Sequence, residues 1–389
     1  MKRALMYASV ASMIQQFNMD NIKLLQELGY KVEVACNFMF GNTISDEKIQ
    51  LLKDELDHLN VKYYHIPIPR KLSDVKNLMQ SYVETKRIMD NRRYELIHCH
   101  SPIGGIICRI ANRTSKEYKE TKMIYTAHGF HFFKGNHWIK NLIFRTVEKI
   151  GARYTDILIT INKEDYAAAS CFRMKNKGKV EYVPGIGIDL NKISPVQAER
   201  QMLLNELGIQ DDASLLLSVG ELNENKNHRV VIESLPKLRE NVHYIICGQG
   251  NLKNEHIQLA KDLGVSDRLH LLGYRSDITK IMKSSDVFVF PSKREGLSVA
   301  LMEAMACGLP CVVSKIRGNT DLIDDGKGGM LFDDGAQLSR EIIQVMESDS
   351  RRKEMSMYNV SKIKTFSRTE VEKKMRDIYK LQKLMSGKE

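Results

Sequence analysis

Short apolar runs alternate with amphipathic stretches along the whole chain. In the first half, residues 3–9, 31–36, 61–66, 95–99, 123–126 and 156–160 are apolar runs of strand length. Between them, residues 14–28, 45–59 and 74–89 carry apolar positions three and four apart, which predicts helices. Strands that alternate with helices predict a parallel, doubly wound sheet, because parallel neighbours need a crossover. The rhythm breaks at Val183-Pro-Gly-Ile-Gly-Ile-Asp189, a turn-rich stretch that predicts a linker over about 185–195. It then restarts, with strands predicted at 214–219, 243–247, 268–271, 286–290 and 311–314 and a charged helical stretch over 337–383. The expected architecture is α/β, with two Rossmann-like domains, 1–184 and 196–365, facing across a cleft. Open sheets of this kind bind ligands beyond the carboxyl ends of their strands.

Composition narrows the class. The chain has 389 residues, enough for about two domains, and 43% are hydrophobic, enough for full cores. No apolar run has the length of a membrane span, and the start, Met1-Lys-Arg-Ala-Leu-Met-Tyr, reads as a first strand and lacks the apolar stretch of a signal peptide. The seven cysteines are scattered without a C-x-x-C, which fits thiols in a reducing cytoplasm and argues against zinc. The net charge of +11 is uneven: residues 1–185 hold 29 Lys+Arg against 19 Asp+Glu, and residues 186–389 hold 30 against 29. The first half should therefore meet a polyanion, if there is one. An anionic membrane surface, a lipid pyrophosphate and nucleic acid all fit that charge, as does a solubilising surface with no partner.

Candidate chemistry clusters at predicted strand ends. After 286–290, the segment Pro291-Ser-Lys-Arg-Glu-Gly-Leu-Ser298 sets Glu295 in a loop and places the amides of Gly296, Leu297 and Ser298 at a helix start, where phosphate is favoured. Glu303 lies eight residues later, flanked by Leu301, Met302, Ala304 and Met305; a buried carboxylate needs partners, and ribose hydroxyls would serve. Two acids beside an anion pocket suit a sugar nucleotide. After 214–219, Lys226 and Asn227 are expected to open a helix, where a lysine can neutralise a leaving pyrophosphate. Gly248 and Gly250 would let a base or ribose approach the backbone, and the turn 273–277, with Arg275, would wall the base pocket or be a plain turn. In the first half, His98 and His100 end one strand, and His128 and His131 follow the next. These can hydrogen-bond sugar hydroxyls or act as acid and base, and no third ligand of matching spacing points to a metal. Phe130, Phe132, Phe133 and Trp138 read as core, although their mixture with His131, Lys134, His137 and Lys140 also allows a membrane-interface loop. No Asp-x-Asp, Walker A, G-x-S-x-G or H-E-x-x-H occurs, so no divalent metal or other cofactor is expected.

The block Pro291-Ser-x-x-Glu295-Gly with Glu303-Ala-Met-Ala-Cys-Gly-Leu-Pro310 resembles the E-x7-E signature of retaining family-4 glycosyltransferases of GT-B architecture. Gly220 with Lys226, Gly248-x-Gly250 and Gly273-x-x-x-Asp277 resemble that family's nucleotide-sugar domain in order and spacing, while 97–105 and 125–133 resemble its bacterial capsule and exopolysaccharide branch. The resemblance covers essentially the whole chain. It implies transfer of a sugar from a nucleotide donor, usually UDP-linked, with retention. Glu303 would bind ribose, Glu295 the donor hexose, the amides of Gly296–Ser298 the distal phosphate, Lys226 the leaving group, and His128 the donor sugar. Gly220 and Asn227 fall on the donor side, and Ser12, His100 and His131 on the acceptor side. Two departures stand out. Glu221 occupies the place of a customary arginine, and 9–13 replaces a Gly-Gly loop. The resemblance also implies a last helix, about 366–389, crossing back to an N-terminal acceptor domain.

The expected function is thus transfer to a lipid-pyrophosphate-linked glycan for a surface polysaccharide, by an enzyme peripheral to the cytoplasmic face of a bacterial membrane. An epimerase of the same fold would turn over a UDP-sugar without acceptor, and a non-catalytic sugar-nucleotide sensor would turn over none. A phosphorylase of this architecture would need a pyridoxal lysine, and none is identifiable in this sequence. No aromatic-basic RNA-binding motif occurs, so nucleic acid is not an expected partner.

Overall fold

Strands that are apolar on both faces need helices on both sides. Ala4, Met6 and Ala8 of β1 (Arg3–Val10) enter one core while Leu5 and Tyr7 enter another, so the two sets alternate along the strand. The computed structural model describes residues 2–175 and 178–385, and it divides the chain into two units.

The first unit comprises Met1–Ile186 and Val371–Glu389. Its parallel sheet continues with β2 (Lys31–Asn37), β3 (Lys62–His65), β4 (Leu96–His100), β5 (Lys122–Ala127), β6 (Ile157–Thr160) and β7 (Lys179–Tyr182), in the order β3-β2-β1-β4-β5-β6-β7. Strand order reverses between β1 and β4, the kind of place where open α/β sheets hold ligands. The helix expected over 14–28 is two, Ala11–Phe17 and Met19–Glu27. They are broken at buried Asn18, whose side chain donates to the Met13 carbonyl at 3.0 Å.

The last helix, Arg368–Met385, enters the first unit from Val371, where Val371, Met375, Ile378 and Tyr379 join the core beneath β1. Residues 386–389 of the expected returning segment lie outside the described residues.

The second unit is Gly187–Glu370. Its parallel sheet has β8 (Ser214–Val219), β9 (Val242–Cys247), β10 (Leu269–Gly273), β11 (Val287–Phe290), β12 (Cys311–Ser314) and β13 (Gly329–Phe332), in the order β10-β9-β8-β11-β12-β13, with its reversal between β8 and β11. The expected linker 185–195 is mostly part of this unit: Ile188 and Ile193 are buried in its core, and Leu190–Ile193 forms a helical turn. Among the described residues no helix is long and apolar enough to cross a membrane.

Candidate functional site

β8 and β11 are paired, Leu216 beside Val287 and Leu217 beside Phe288, so the loops leaving their carboxyl ends start side by side. Those loops are stitched together. The Lys293 amide donates to the Asn225 carbonyl at 2.8 Å, the Asn225 side chain to the Arg294 carbonyl at 3.0 Å, and the Asn227 side chain to the Pro291 carbonyl at 3.3 Å. Asn227 holds φ +56°, a left-handed conformation that asparagine tolerates better than most residues. The Lys226 amide donates to the Asn223 side chain at 2.9 Å. The product is a partly buried ion pair, Lys226 Nζ to Glu295 Oε1 at 2.7 Å, with the ammonium 4.6 Å from the centre of the Phe290 ring. Gly220 leaves room for the lysine's stem: a Cβ there would come within 3.2 Å of it.

Beyond Glu295, the chain turns into the helix Val299–Ala306. Ser298 is its N-cap, and its hydroxyl accepts from the Leu301 amide at 3.3 Å. That hydroxyl is occupied, so what the turn offers an anion is the positive end of the helix and the amides around Gly296 and Leu297. Glu303 lies one turn in. Its neighbours Leu301, Met302, Ala304 and Met305 are all in the core, and its own carboxyl is partly buried without a hydrogen bond or ion pair among the described residues. Loss of water raises its pKa above the usual carboxylate value. An unpaired, half-buried carboxylate is an acceptor waiting for hydroxyl donors.

Several sequence expectations change here. Gly248 and Gly250 do not clear space for a ligand: a Cβ on Gly248 would overlap the Gly220 carbonyl, and one on Gly250 the Leu222 carbonyl. They let the β9 turn lie against the 220–222 backbone, which it meets through Gly220 N to Cys247 O at 3.0 Å and Leu222 N to Gln249 O at 2.9 Å. Arg275 is held by carboxylates, with Nε and Nη2 donating to Asp277 at 2.8 and 2.7 Å and a further pair to Glu206, so it braces the turn instead of facing a base. Lys226 and Asn227 precede the short helix Arg229–Ile232 and do not open it. Glu221 accepts from the Asn223 side chain at 3.0 Å. The sequence reading missed Arg317, which is buried and whose Nε donates to the Glu295 carbonyl at 3.2 Å. An arginine followed by glycine just past β12 was the available signal, since Gly318 holds φ +80° and a Cβ there would press on the Gly296 carbonyl at 2.5 Å.

In the first unit the histidines form a chain beneath the carboxyl edge of β4 and β5. His98 bonds Tyr379 Oη through Nδ1 and Thr126 Oγ1 through Nε2, each at 2.8 Å. His100 Nδ1 lies 3.1 Å from His128 Nε2, and His128 packs on the Phe17 ring at 5.5 Å. Loss of water pushes the pKa of His98 down to about 3, that of His128 down to about 4, and that of His100 well below the usual value, so all three are neutral at pH 7.

His100 is 1% exposed, so it cannot touch an acceptor and can only orient His128. Ser12 is also buried. Its hydroxyl accepts from the Thr43 amide at 3.4 Å and its amide donates to Asn42, which makes it a tie for the 42–43 turn in place of an acceptor contact. His131 and His128 keep partial exposure, and the His131 ring meets Phe144 edge-on at 5.2 Å. The aromatic cluster splits: Phe130 and Phe132 are core, whereas Trp138 is out on the surface. Among the described residues no three His, Cys, Asp or Glu side chains are grouped to hold a metal.

Known proteins match this arrangement over its full length. The family described as Glycosyltransferase Family 4 matches residues 15–192, and that described as Glycosyl transferases group 1 matches residues 199–361. EpsD of Bacillus subtilis (strain 168), whose name marks it as an inferred glycosyltransferase, is 32% identical over 394 residues, covering 100% of this chain and 99% of its own length. The UDP-Gal:alpha-D-GlcNAc-diphosphoundecaprenol alpha-1,3-galactosyltransferase of Escherichia coli is 29% identical, covering 82% of this chain and 80% of its own. Among solved structures, HepE of Anabaena in complex with UDP and glucose superposes with a TM-score of 0.75 at 16% identity, covering 97% of this chain and 99% of its own, and WaaG, a glycosyltransferase involved in lipopolysaccharide biosynthesis, with 0.70 at 17%, covering 96% and 98%. At those identities the structures establish the fold, GT-B. With a full-length relative above 30% identity and two family patterns in the order of its two sheets, the chain is a glycosyltransferase and belongs to family 4.

Proposed function

We propose that this enzyme transfers a hexose from a UDP-sugar, with retention, to a lipid-pyrophosphate-linked glycan in the synthesis of a bacterial surface polysaccharide. The observation that carries the donor half is the Lys226–Glu295 pair beside the unpaired Glu303 at the β8/β11 reversal. Lys226 offsets the negative charge that grows on the departing diphosphate, aided by the amides at the Val299–Ala306 helix start. Glu295, released from Lys226 as the diphosphate takes over the ammonium, accepts from hexose hydroxyls, and Glu303 accepts from the ribose. Fixed protein charge does this without a divalent metal. In the first unit, neutral His128 offers a hydrogen bond to a sugar hydroxyl, and partly exposed His131 lies on the same edge. The lipid-linked acceptor is supported by the diphosphoundecaprenol named for the Escherichia coli relative, and by the basic excess of residues 1–185. That acceptor would bring the enzyme to the cytoplasmic face of the membrane.

The test is a thermal-shift screen with UDP-, GDP- and ADP-sugars, followed by transfer to a short-chain lipid-pyrophosphate GlcNAc with the anomeric configuration of the product read by NMR. A UDP-sugar should raise the melting temperature by mass action. Conversion of the UDP-sugar to its epimer without acceptor, or an inverted product, overturns the reading.

A further inference from the structure

Three neighbouring helices of the first unit, Val75–Asn91, Pro102–Arg113 and Trp138–Ala152, pack side by side over one face of the sheet. Their inner residues Met89, Ile107, Cys108 and Ala152 share a single core with Tyr7 and Tyr125. Their outer surface is apolar where an ordinary surface is polar. On the first helix Val75, Met79 and Val83, one turn apart, are 64%, 59% and 55% exposed. On the third, Trp138 and Leu142 are 69% and 59% exposed, and Ile143 stands beside them. The middle helix, which packs against both, adds exposed Ile110. Single exposed apolar residues are ordinary, but a stripe on each flank of a three-helix layer marks an interaction surface.

The charges around it choose the partner. Lys71 and Lys76 flank the first stripe, and Lys134, Lys140 and Arg145 the second; all five are exposed. Between 70 and 83 the one acid is Asp74, which is occupied capping its helix, and between 134 and 145 there is none. A second copy of the chain meeting this face across a two-fold axis would bring basic rims together, which disfavours it. An anionic bilayer matches both parts, with apolar side chains entering the acyl boundary, tryptophan at the headgroup level and lysines on the phosphates. Val75 and Met79, like Trp138, Leu142 and Ile143, sit in the first halves of their helices, whereas Ile110 lies in the second half of its own. Each of those helices leaves a strand's carboxyl end, so the apolar face borders the edge that carries His128.

We infer that this three-helix face docks the first unit directly onto an anionic membrane, with the helix Trp138–Ala152 as its main inserting element. The inference rests on the lipid-linked acceptor reading for its purpose, but binding is measurable without turnover. Purified full-length enzyme would be floated with vesicles of pure phosphatidylcholine and with equimolar phosphatidylcholine and phosphatidylglycerol. Wild type should float with the anionic vesicles and release in high salt. The variant Trp138→Ser/Leu142→Ser/Ile143→Ser should lose about tenfold or more in partitioning, Lys140→Glu/Arg145→Glu a similar amount, and both should keep the wild-type melting temperature.

Equal flotation of wild type and the triple serine variant overturns the inference. So does absence of wild-type flotation, and so does a wild-type dimer that the triple variant abolishes while flotation persists. Val75→Ser/Met79→Ser/Val83→Ser is the second variant should the first fail to fold. Activity on a water-soluble short-chain acceptor separates the two readings: the triple variant should retain it while losing activity on acceptor embedded in vesicles, and a wild type inactive on both would count against the transfer reaction and leave the flotation result standing.

Discussion

Replacing Lys226 with methionine keeps the stem and removes the charge. In the structure this strands Glu295, whose side chain is 13% exposed and whose partner is 20% exposed. Breaking a fully buried pair costs about 3–5 kcal/mol, and breaking an exposed one costs about 0–1. With both ends still reached by some water, the loss should be about 1–2 kcal/mol, a fall of roughly 3–6 °C in melting temperature for a unit of this size. The rate effect should be far larger. A fixed cation at a developing diphosphate resembles a transition-state donor whose removal lowers kcat by about 10²–10³. Initial rates across donor concentrations, with melting followed on the same preparations, separate the two. Lys226→Met/Glu295→Gln should recover most of the stability, because no orphaned carboxylate remains, and none of the rate. A kcat within about threefold of wild type with only KM raised would mean that Lys226 binds the donor equally in ground and transition states, and would refute its role at the leaving group.

Three further outcomes are expected. Gly248→Ala drives a Cβ into the Gly220 carbonyl and should cost about 3 kcal/mol or more, or leave protein that does not fold, read by urea unfolding; a loss below about 1 kcal/mol would show that the loops slide apart freely. Glu303→Gln should stabilise the ligand-free enzyme at pH 7 and weaken donor binding. The raised carboxyl pKa means its stability contribution is full only below the unfolded pKa and is lost as pH rises, so at neutral pH the charge is a cost that the amide removes. Unchanged melting temperature together with unchanged donor affinity would contradict this. His98, neutral when folded down to about 3, binds protons only on unfolding between there and about 6.5, so stability should fall with acidification through that window, by about 2 kcal/mol for this group at pH 5. His98→Gln should flatten the dependence of melting temperature on pH, and an unaltered slope would count against it.

The central strands are legible because they are apolar on both faces, a run that only a helix-covered sheet can bury. β7, with its exposed and half-exposed Lys179-Val-Glu-Tyr182, is an edge strand without that pattern; β13, at the edge of the other sheet, is apolar on both faces but only four residues long and opens on a glycine, and the sequence reading passed over both. The spacing of Glu295 and Glu303 was readable because a strand, a glycine turn and a helix start follow one another in the chain. Partners distant in sequence were not: Arg275 is neutralised by Glu206, 69 residues away, and Gly248 is glycine because of a carbonyl 28 residues earlier. His100 and Ser12 look available in a strand-end motif, and only the packing of neighbouring elements shows them enclosed.

The helix Arg368–Met385 has a consequence for synthesis. Tyr379 closes the bond to His98, and Val371, Met375 and Ile378 fill the core under β1, so the first unit lacks part of its interior until residue 379 has been synthesised. The second unit is continuous from Gly187 to Glu370 and is complete before the part of that helix from Val371 onward is made. The unit begun first therefore finishes after the second, and until then the nascent chain holds an open hydrophobic groove. A stop codon or frameshift near residue 370 would spare the second unit and leave the first dependent on chaperones.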